Sequence, residues 1–419
     1  MSTKISSGTN SCVIFAIACV VMICALPGQS MGFCAFTEPI LHTTHLPRTT
    51  FSTIYMAATM LGGCGILISG KLIDCFGIRR SLLLALPFWT LILFTLGNCS
   101  LLYKFVQNFL PWENFCVIFF VACLFVLRLL GQNILPLLGR MQVVRTFSGR
   151  EGFAVAIYGF VVSSAKGVMP PVMGILAKND NWEYAFRILS LSGVVLILLV
   201  FFFLRDRSTV EPVQSQRTEN GRCIQISFTS RWQLLRMPVF WCIASVLCLN
   251  EFMGCGIAIH VVDIFRERGV SGSVALSTYI PLSVATIIAG FPFGKLVDLG
   301  KIKFAVLLML LVQFLGLTSL NFAQNWWCIM LYALSMGTAW GAHRVLLIAA
   351  WSKIFGQKHI GEILGVVYFL STLSSASGVP MMSLFKHQFG SYFVLIYILQ
   401  FAIISCAIFC LRKFPKQSN

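Results

Sequence analysis

Residues 70–80 read GKLIDCFGIRR, and residues 294–303 read GKLVDLGKIK. Both open on Gly-Lys-Leu, place an aspartate four residues after the glycine (Asp74, Asp298), reach a second glycine (Gly77, Gly300) and end on cations. The second copy is one residue shorter before its glycine and carries Lys301 and Lys303 where the first has Arg79 and Arg80. Each copy follows a long apolar run. A hydrocarbon core about 30 Å thick takes about 20 helical residues to cross. Runs of that kind recur twelve times, near 12–36, 50–70, 80–98, 114–138, 152–176, 187–204, 238–262, 272–293, 303–323, 326–352, 361–385 and 391–411. One copy follows the second run and the other the eighth, so both occupy the same loop of two six-helix halves. Duplicated halves with a site at their interface are a transporter architecture.

Composition leads to the same place. The chain is 58% hydrophobic and 11% charged, whereas soluble domains are about a quarter charged. The expected fold is therefore all-α and integral to the membrane, with twelve transmembrane helices in two pseudo-symmetric halves. The polar, basic stretch 205–237 divides an N-terminal bundle, 1–204, from a C-terminal bundle, 238–419. The first run is too long for a signal h-region, has only Lys4 before it and lacks a small-residue cleavage site, so it is read as a retained helix. Basic residues such as Lys4, Arg79, Arg80, Arg145, Arg205, Lys301 and Arg412 gather on the side that bears the termini. Positive-inside topology makes that side cytoplasmic, in a bacterial-type inner membrane or a plasma membrane. The same asymmetry explains the net charge of +17 without a nucleic-acid partner. Sixteen cysteines are scattered along the helices with no C-x-x-C pair, as small apolar residues.

The stretch at 70–80 resembles the loop signature of the major facilitator superfamily, and 294–303 its shorter second copy. The Arg128, Gly131 and Gln132 segment is similar to that family's fourth-helix motif with the glutamine and glycine in inverted order. PGQSMGFCAF in the first run and KIFGQKHIGEILG before the eleventh look most like the branch of oxalate/formate exchangers and monocarboxylate transporters. The resemblance covers essentially the whole chain. It implies that helices 1, 4, 7 and 10 line a cavity, that 3, 6, 9 and 12 form an outer scaffold, and that the loop motif acts as a cytoplasmic latch. In such a latch Gly70 and Gly77 permit a tight turn and close helix approach, with Gly294 as the second-half counterpart of Gly70. Asp74 and Asp298 accept from a helix N-terminus or an arginine, and Arg79 and Arg80 donate.

Ionisable residues at membrane depth are few: Arg128, Lys166, Glu251, His343 and Arg344. A central lysine or arginine costs about 2.5–3.5 kcal/mol on insertion scales, so such groups face protein or water. Lys166 stands beside Gly167 and ahead of Pro170-Pro171, where the helix is thin and has room for a cavity. Arginine suits a carboxylate because its planar fork matches both oxygens. Three cations against one acid favour an anionic small molecule. Gln29 and Ser30, after Pro27-Gly28, add hydrogen-bonding groups at an expected break in helix 1. The substrate set is then Lys166, Arg344, Arg128, Gln29 and His343, with Glu251 as the group that takes up and releases a proton.

Each of these residues has a plainer reading. Lys166 or Arg344 is neutralised by Glu251, Arg128 is structural, and His343 is a packed polar neighbour. No H-e-x-x-H or P-loop pattern occurs, and the six histidines are dispersed, so neither a metal, a cofactor nor ATP chemistry on this chain is expected. The leading expectation is a monomeric secondary carrier of a small organic anion, working by proton symport or anion exchange. A carrier of an amphipathic or zwitterionic solute is the second reading. A membrane-embedded enzyme or a transporter-like sensor is the remote one.

Overall fold

The computed structural model describes residues 2–44, 46–102, 115–146, 151–178, 181–204, 231–355 and 360–414. It divides into two compact units, Met1–Ser215 and Gln216–Asn419. In the first unit the helices are α1 (Ser2–Cys24), α2 (Ser30–Thr44), α3 (Arg48–Phe76), α4 (Ile78–Gly97), α5 (Phe115–Arg128), α6 (Leu135–Thr146), α7 (Glu151–Leu176) and α8 (Trp182–Phe203). In the second they are α9 (Arg231–Arg236), α10 (Pro238–Arg266), α11 (Gly272–Ser277), α12 (Tyr279–Asp298), α13 (Ile302–Leu320), α14 (Trp326–Val345), α15 (Trp351–Phe355), α16 (Ile360–Phe389) and α17 (Phe393–Lys413). Joined through short irregular links, α1–α2, α5–α6, α11–α12 and α14–α15 are each taken as one span, so the described residues of each unit make six.

Among the described residues, ten spans are long and apolar enough to cross a membrane by length and composition. The tenth span is not among them: its helix α14 carries Trp326, Trp327, Ser335, Thr338, His343 and Arg344, which lower its hydropathy. Nor is α3, where the side chains of 64–75 lie outside the described residues. Most of the stretch expected as a central loop, 205–230, also lies outside them, while Arg231–Arg236 is a short helix whose Leu234 is fully buried.

Hydrocarbon offers no water to unpaired amides, so a span must keep its backbone hydrogen bonds internal wherever it meets lipid. Departures from regular helix therefore need protein to cover them. The first span breaks after Cys24 into a 3₁₀ turn, Leu26–Gly28, with Gln29 extended at φ −100°, ψ 152°, before α2 begins. The sequence reading located this break correctly at Pro27-Gly28. It did not foresee two π-helical segments, Leu129–Ile134 in the fourth span and Leu346–Ala350 in the tenth. One follows Arg128 directly and the other starts two residues after Arg344. Insertions of this kind cluster at functional sites. By contrast, α7 runs through Pro170 and Pro171 without ending.

Small residues bring the helices together. A Cβ on Gly28 would sit 2.8 Å from the Cα of Gly131 and 2.6 Å from the Leu127 carbonyl. In the second unit, Gly337 and Gly341 press against the backbone of Leu282 and Thr286, and Thr286 Oγ1 donates to the Gly337 carbonyl at 3.0 Å. Gly256 faces the Gly378 carbonyl, and Gly378 faces Phe252. Gly254 receives the indole of Trp340. The contact of Gly28 with Gly131 seats the break of the first span against the fourth. A valine at 131 would put methyls where the Trp89 ring and Gly28 already lie within 2.8 Å. Overpacking of that kind costs about 1–3 kcal/mol. Gly131→Val is expected to lower the thermal midpoint of the purified protein by several degrees, while Ile134→Val, in the same segment, leaves it nearly unchanged.

Candidate functional site

The loop motif is placed by two left-handed glycines. Gly77 has φ +77° and Gly300 φ +75°, a region L side chains rarely adopt. A Cβ on either would meet nothing within 4 Å, so the demand is conformational and not one of space. Gly294 also has open space around it, so the close approach expected of this counterpart is not what its surroundings require. Past each turn, a cation reaches the far end of its own unit. Arg79 Nη2 donates to the Phe201 carbonyl at 3.1 Å, and Lys303 Nζ donates to the Leu411 carbonyl at 3.1 Å. Both carbonyls lie in the last turn of a unit's sixth span, where unpaired C=O groups and the helix dipole favour a positive charge. Arg80 and Asp298 are exposed. Gly70 lies within α3, but its surroundings and the side chain of Asp74 fall outside the described residues.

At the centre of the first unit lies Arg128, the last residue of α5 and fully buried. Its Nε donates to Thr59 Oγ1 at 3.2 Å. Its Nη1 donates to the Gly28 carbonyl at 3.1 Å and to Ser30 Oγ at 3.3 Å. The guanidinium carbon stands 4.4 Å from the centroid of the Tyr55 ring. Tyr55 OH in turn donates to Ser30 Oγ at 3.0 Å. The remaining nitrogen, Nη2, is buried and has no hydrogen-bond partner among the described residues, and no carboxylate there pairs with the group. A buried charge without a counter-ion is costly unless polar groups solvate it. Here a carbonyl released by the helix break, two hydroxyls and an aromatic face do so.

The break thus presents its carbonyl end to a cation. Gln29 does not point its donors elsewhere: Nε2 lies 3.4 Å from the Gly131 carbonyl and 3.8 Å from Met22 Sδ, fastening the first span to the fourth. Lys166 is half-buried on α7, one turn past Ser163, whose hydroxyl donates to the Gly159 carbonyl.

In the second unit Glu251 and His343 meet. Glu251 Oε1, on α10, is 3.4 Å from Nε2 of His343, on α14, close enough for an ion pair but outside hydrogen-bond geometry. His343 is buried and Glu251 half-buried. Trp340 packs edge-on to His343 at 5.5 Å, and its other face fills the notch left by Gly254. Arg344 is half-buried beside them in sequence. The neighbour of Glu251, Asn250, turns the other way and accepts from Gln313 Nε2 at 3.0 Å. Near the helix ends, Glu38 pairs with Arg48 at 2.7 Å, Asp263 accepts from Tyr392 OH at 2.8 Å and His260 Nε2 lies 3.1 Å from the Val379 carbonyl. Among the described residues no group of histidine, cysteine, aspartate or glutamate side chains is arranged to hold a metal.

The family model of the Major Facilitator Superfamily matches residues 15–379. The chain belongs to that superfamily. Solved structures of facilitator proteins cover nearly all of it at low identity. A D-xylose–proton symporter aligns at 16% identity with a TM-score of 0.65, covering 96% of this chain and 98% of its own. The xylose transporter XylE from E. coli aligns at 14% and 0.67, covering 97% and 100%. A bacterial homologue of the human lysosomal transporter Spinster aligns at 14% and 0.64, covering 97% and 95%. No curated protein sequence matches. At such identities the likeness is one of fold.

Membership makes this facilitator a multi-pass membrane transporter of small molecules and not an enzyme. The residues around Arg128 that the sequence reading missed are Tyr55 and Thr59. They stand four apart on α3, hence on one helical face, and a tyrosine and a threonine at that spacing give no signal until the arginine they serve is known. Trp340 was missed for the same reason. For the paired loop cations, the surface location makes the expected effect small, about 0.3–1 kcal/mol each. Lys303→Gln is expected to lower the thermal midpoint slightly, and Lys303→Arg to restore it; equal midpoints for all three proteins would show that the contact with Leu411 contributes nothing.

Proposed function

We propose that this facilitator carries a small organic anion. The observation that supports it is Arg128, buried, with Nη2 uncommitted and no carboxylate against it among the described residues. A substrate carboxylate supplies the missing counter-charge, and Lys166 and Arg344 add cations at comparable depth in the sequence. The resemblance of the first and eleventh spans to the oxalate/formate exchanger and monocarboxylate transporter branch points to the same class. Glu251 is the proton-coupling group, with His343 3.4 Å away as its partner in exchange. The word symporter in the name of one structural neighbour is in keeping with that role. In this reading both termini are cytoplasmic, the bundles 1–204 and 238–419 act as the two moving halves about the 205–237 loop, and the chain works as a monomer. Gly70, Asp74, Gly77, Arg79, Arg80, Gly294 and Asp298 serve the cytoplasmic gate.

A second reading, a zwitterionic or amphipathic solute, draws on Glu251 itself. A half-buried carboxylate is the natural partner for a substrate ammonium. The two separate in a thermal-unfolding screen of the purified protein across carboxylates, sugar phosphates, amino acids and cationic drugs. A ligand at a hundredfold excess over Kd adds about 2.7 kcal/mol to stability. Anions are expected to raise the midpoint, and Arg128→Gln and Lys166→Ala to abolish the rise while each variant still folds. Stabilisation by neutral or cationic solutes alone would sink the anion reading. In proteoliposomes, Glu251→Gln is expected to end accumulation driven by a proton gradient while leaving counterflow of preloaded substrate intact. Loss of both modes together would assign Glu251 to binding instead of coupling.

A further inference from the structure

We infer that Tyr55 is the positioning residue of the Arg128 site: it fixes the plane of the guanidinium, and through Ser30 its rotation, so that Nη2 is the edge left for an anion. The inference rests on the reading of Arg128 as the anion contact. A guanidinium has five N–H donors in one plane. Four neighbours determine where that plane lies. Thr59 takes the Nε edge and the Gly28 carbonyl and Ser30 take Nη1. The Tyr55 ring covers one face at 4.4 Å. Two of these controls belong to the same residue, because Ser30 Oγ is held by Tyr55 OH at 3.0 Å. The third is nearly so: Thr59 Oγ1 donates to the backbone carbonyl of Tyr55 at 2.7 Å, one turn back on α3.

Tyr55 itself has little freedom. It is fully buried, with Phe33 at 5.8 Å and Phe51 at 6.3 Å between ring centroids. An aspartate in its place would hold the arginine more tightly, but would also cancel its charge. The π-face attracts the cation through its quadrupole while carrying no net charge. Orientation without neutralisation is what a substrate site needs and what a structural ion pair does not supply. A merely packed aromatic would have neither its hydroxyl on Ser30 nor its face under the guanidinium.

The test uses the full chain with three anion probes, acetate, phosphate and chloride, and acetamide as the uncharged counterpart of acetate. Apparent Kd is read from the rise of the thermal midpoint with probe concentration. Tyr55→Leu is expected to weaken the best anion roughly tenfold, in line with the loss of a desolvated cation–π contact. Tyr55→Phe, which keeps the ring and loses the hydroxyl, and Ser30→Ala are each expected to weaken it about threefold, and the double variant no further, since both cut one hydrogen-bonded chain. Any effect of acetamide is expected to be the same in all variants. In proteoliposomes the KM for that anion rises with Vmax held within about twofold, a split that general destabilisation would not produce. If Arg128→Gln loses anion binding but Tyr55→Leu does not, Tyr55 is core packing only and the Arg128 reading stands. If Arg128→Gln binds as the unaltered protein does, or no probe stabilises the unaltered protein, the reading and the inference fall together. Should Tyr55→Leu fail to fold, Tyr55→Phe and Ser30→Ala decide, and unchanged affinity in both overturns the inference.

Discussion

The hydrogen bond from Arg128 to the carbonyl of Gly28 is the contact on which the first unit's interior depends. A guanidinium with no exposed surface has to be solvated by protein, and a regular helix has no carbonyls to spare for it. Pro27 and Gly28 interrupt the first span and release one. The interruption is itself exposed to the penalty for unpaired backbone in hydrocarbon, so it needs cover. Gly131 provides this by leaving no room for a Cβ between the first and fourth spans, and Gln29 adds a hydrogen bond to that residue's carbonyl. Break, glycine contact and buried arginine are therefore one construction. Removing any member leaves the others unsatisfied.

Duplication gives the two units the same frame but not the same interior. In both, a left-handed glycine turns the chain after the second span and a cation three residues beyond or two residues beyond it binds the last turn of the sixth. Gly77 leads to Arg79 by two residues and Gly300 to Lys303 by three, so the residue missing before the second glycine is made up after it. Both units also place an arginine next to a π-helical segment in the fourth span, Arg128 and Arg344. The difference lies in what the remaining central residues are. The first unit surrounds its arginine with hydroxyls, a carbonyl and a ring. The second sets a glutamate against a histidine, with Trp340 closing one side. Among the described residues, one interior meets its cation with neutral groups only, and the other sets an acid 3.4 Å from a histidine.

Much of the frame was legible in the sequence, because hydropathy and the repeated loop report on constraints that act locally. Twelve apolar runs give twelve spans, and Pro27-Gly28 marks the broken one. The π-helical segments were not legible. LLGQNI and LLIAA are ordinary helix-forming strings, and the extra residue in the turn is imposed by packing and not by propensity. The site was read in part: the charged residues announced themselves because charge is rare at that depth. Their partners did not, since Tyr55, Thr59 and Trp340 are common in such helices and acquire meaning only from a residue far away in the chain. Gln29, a polar residue expected at the break, has its amide nitrogen turned inward onto the Gly131 carbonyl, a contact that no sequence pattern announces.

Transport requires a site that binds and then lets go, which bears on how the arginine is held. A carboxylate partner would compete with an incoming anion for the same donors, and exchange between the two would involve breaking a strong charge-assisted bond at each turnover. Neutral acceptors on two edges and a ring on one face hold the guanidinium in place without competing for its last nitrogen. On the proposed reading, an anion would engage only that nitrogen, and its release would leave the guanidinium with the acceptors it already has. The same logic separates the two interiors. Among the described residues no carboxylate accompanies Arg128, and in the second unit Glu251 stands 3.4 Å from His343.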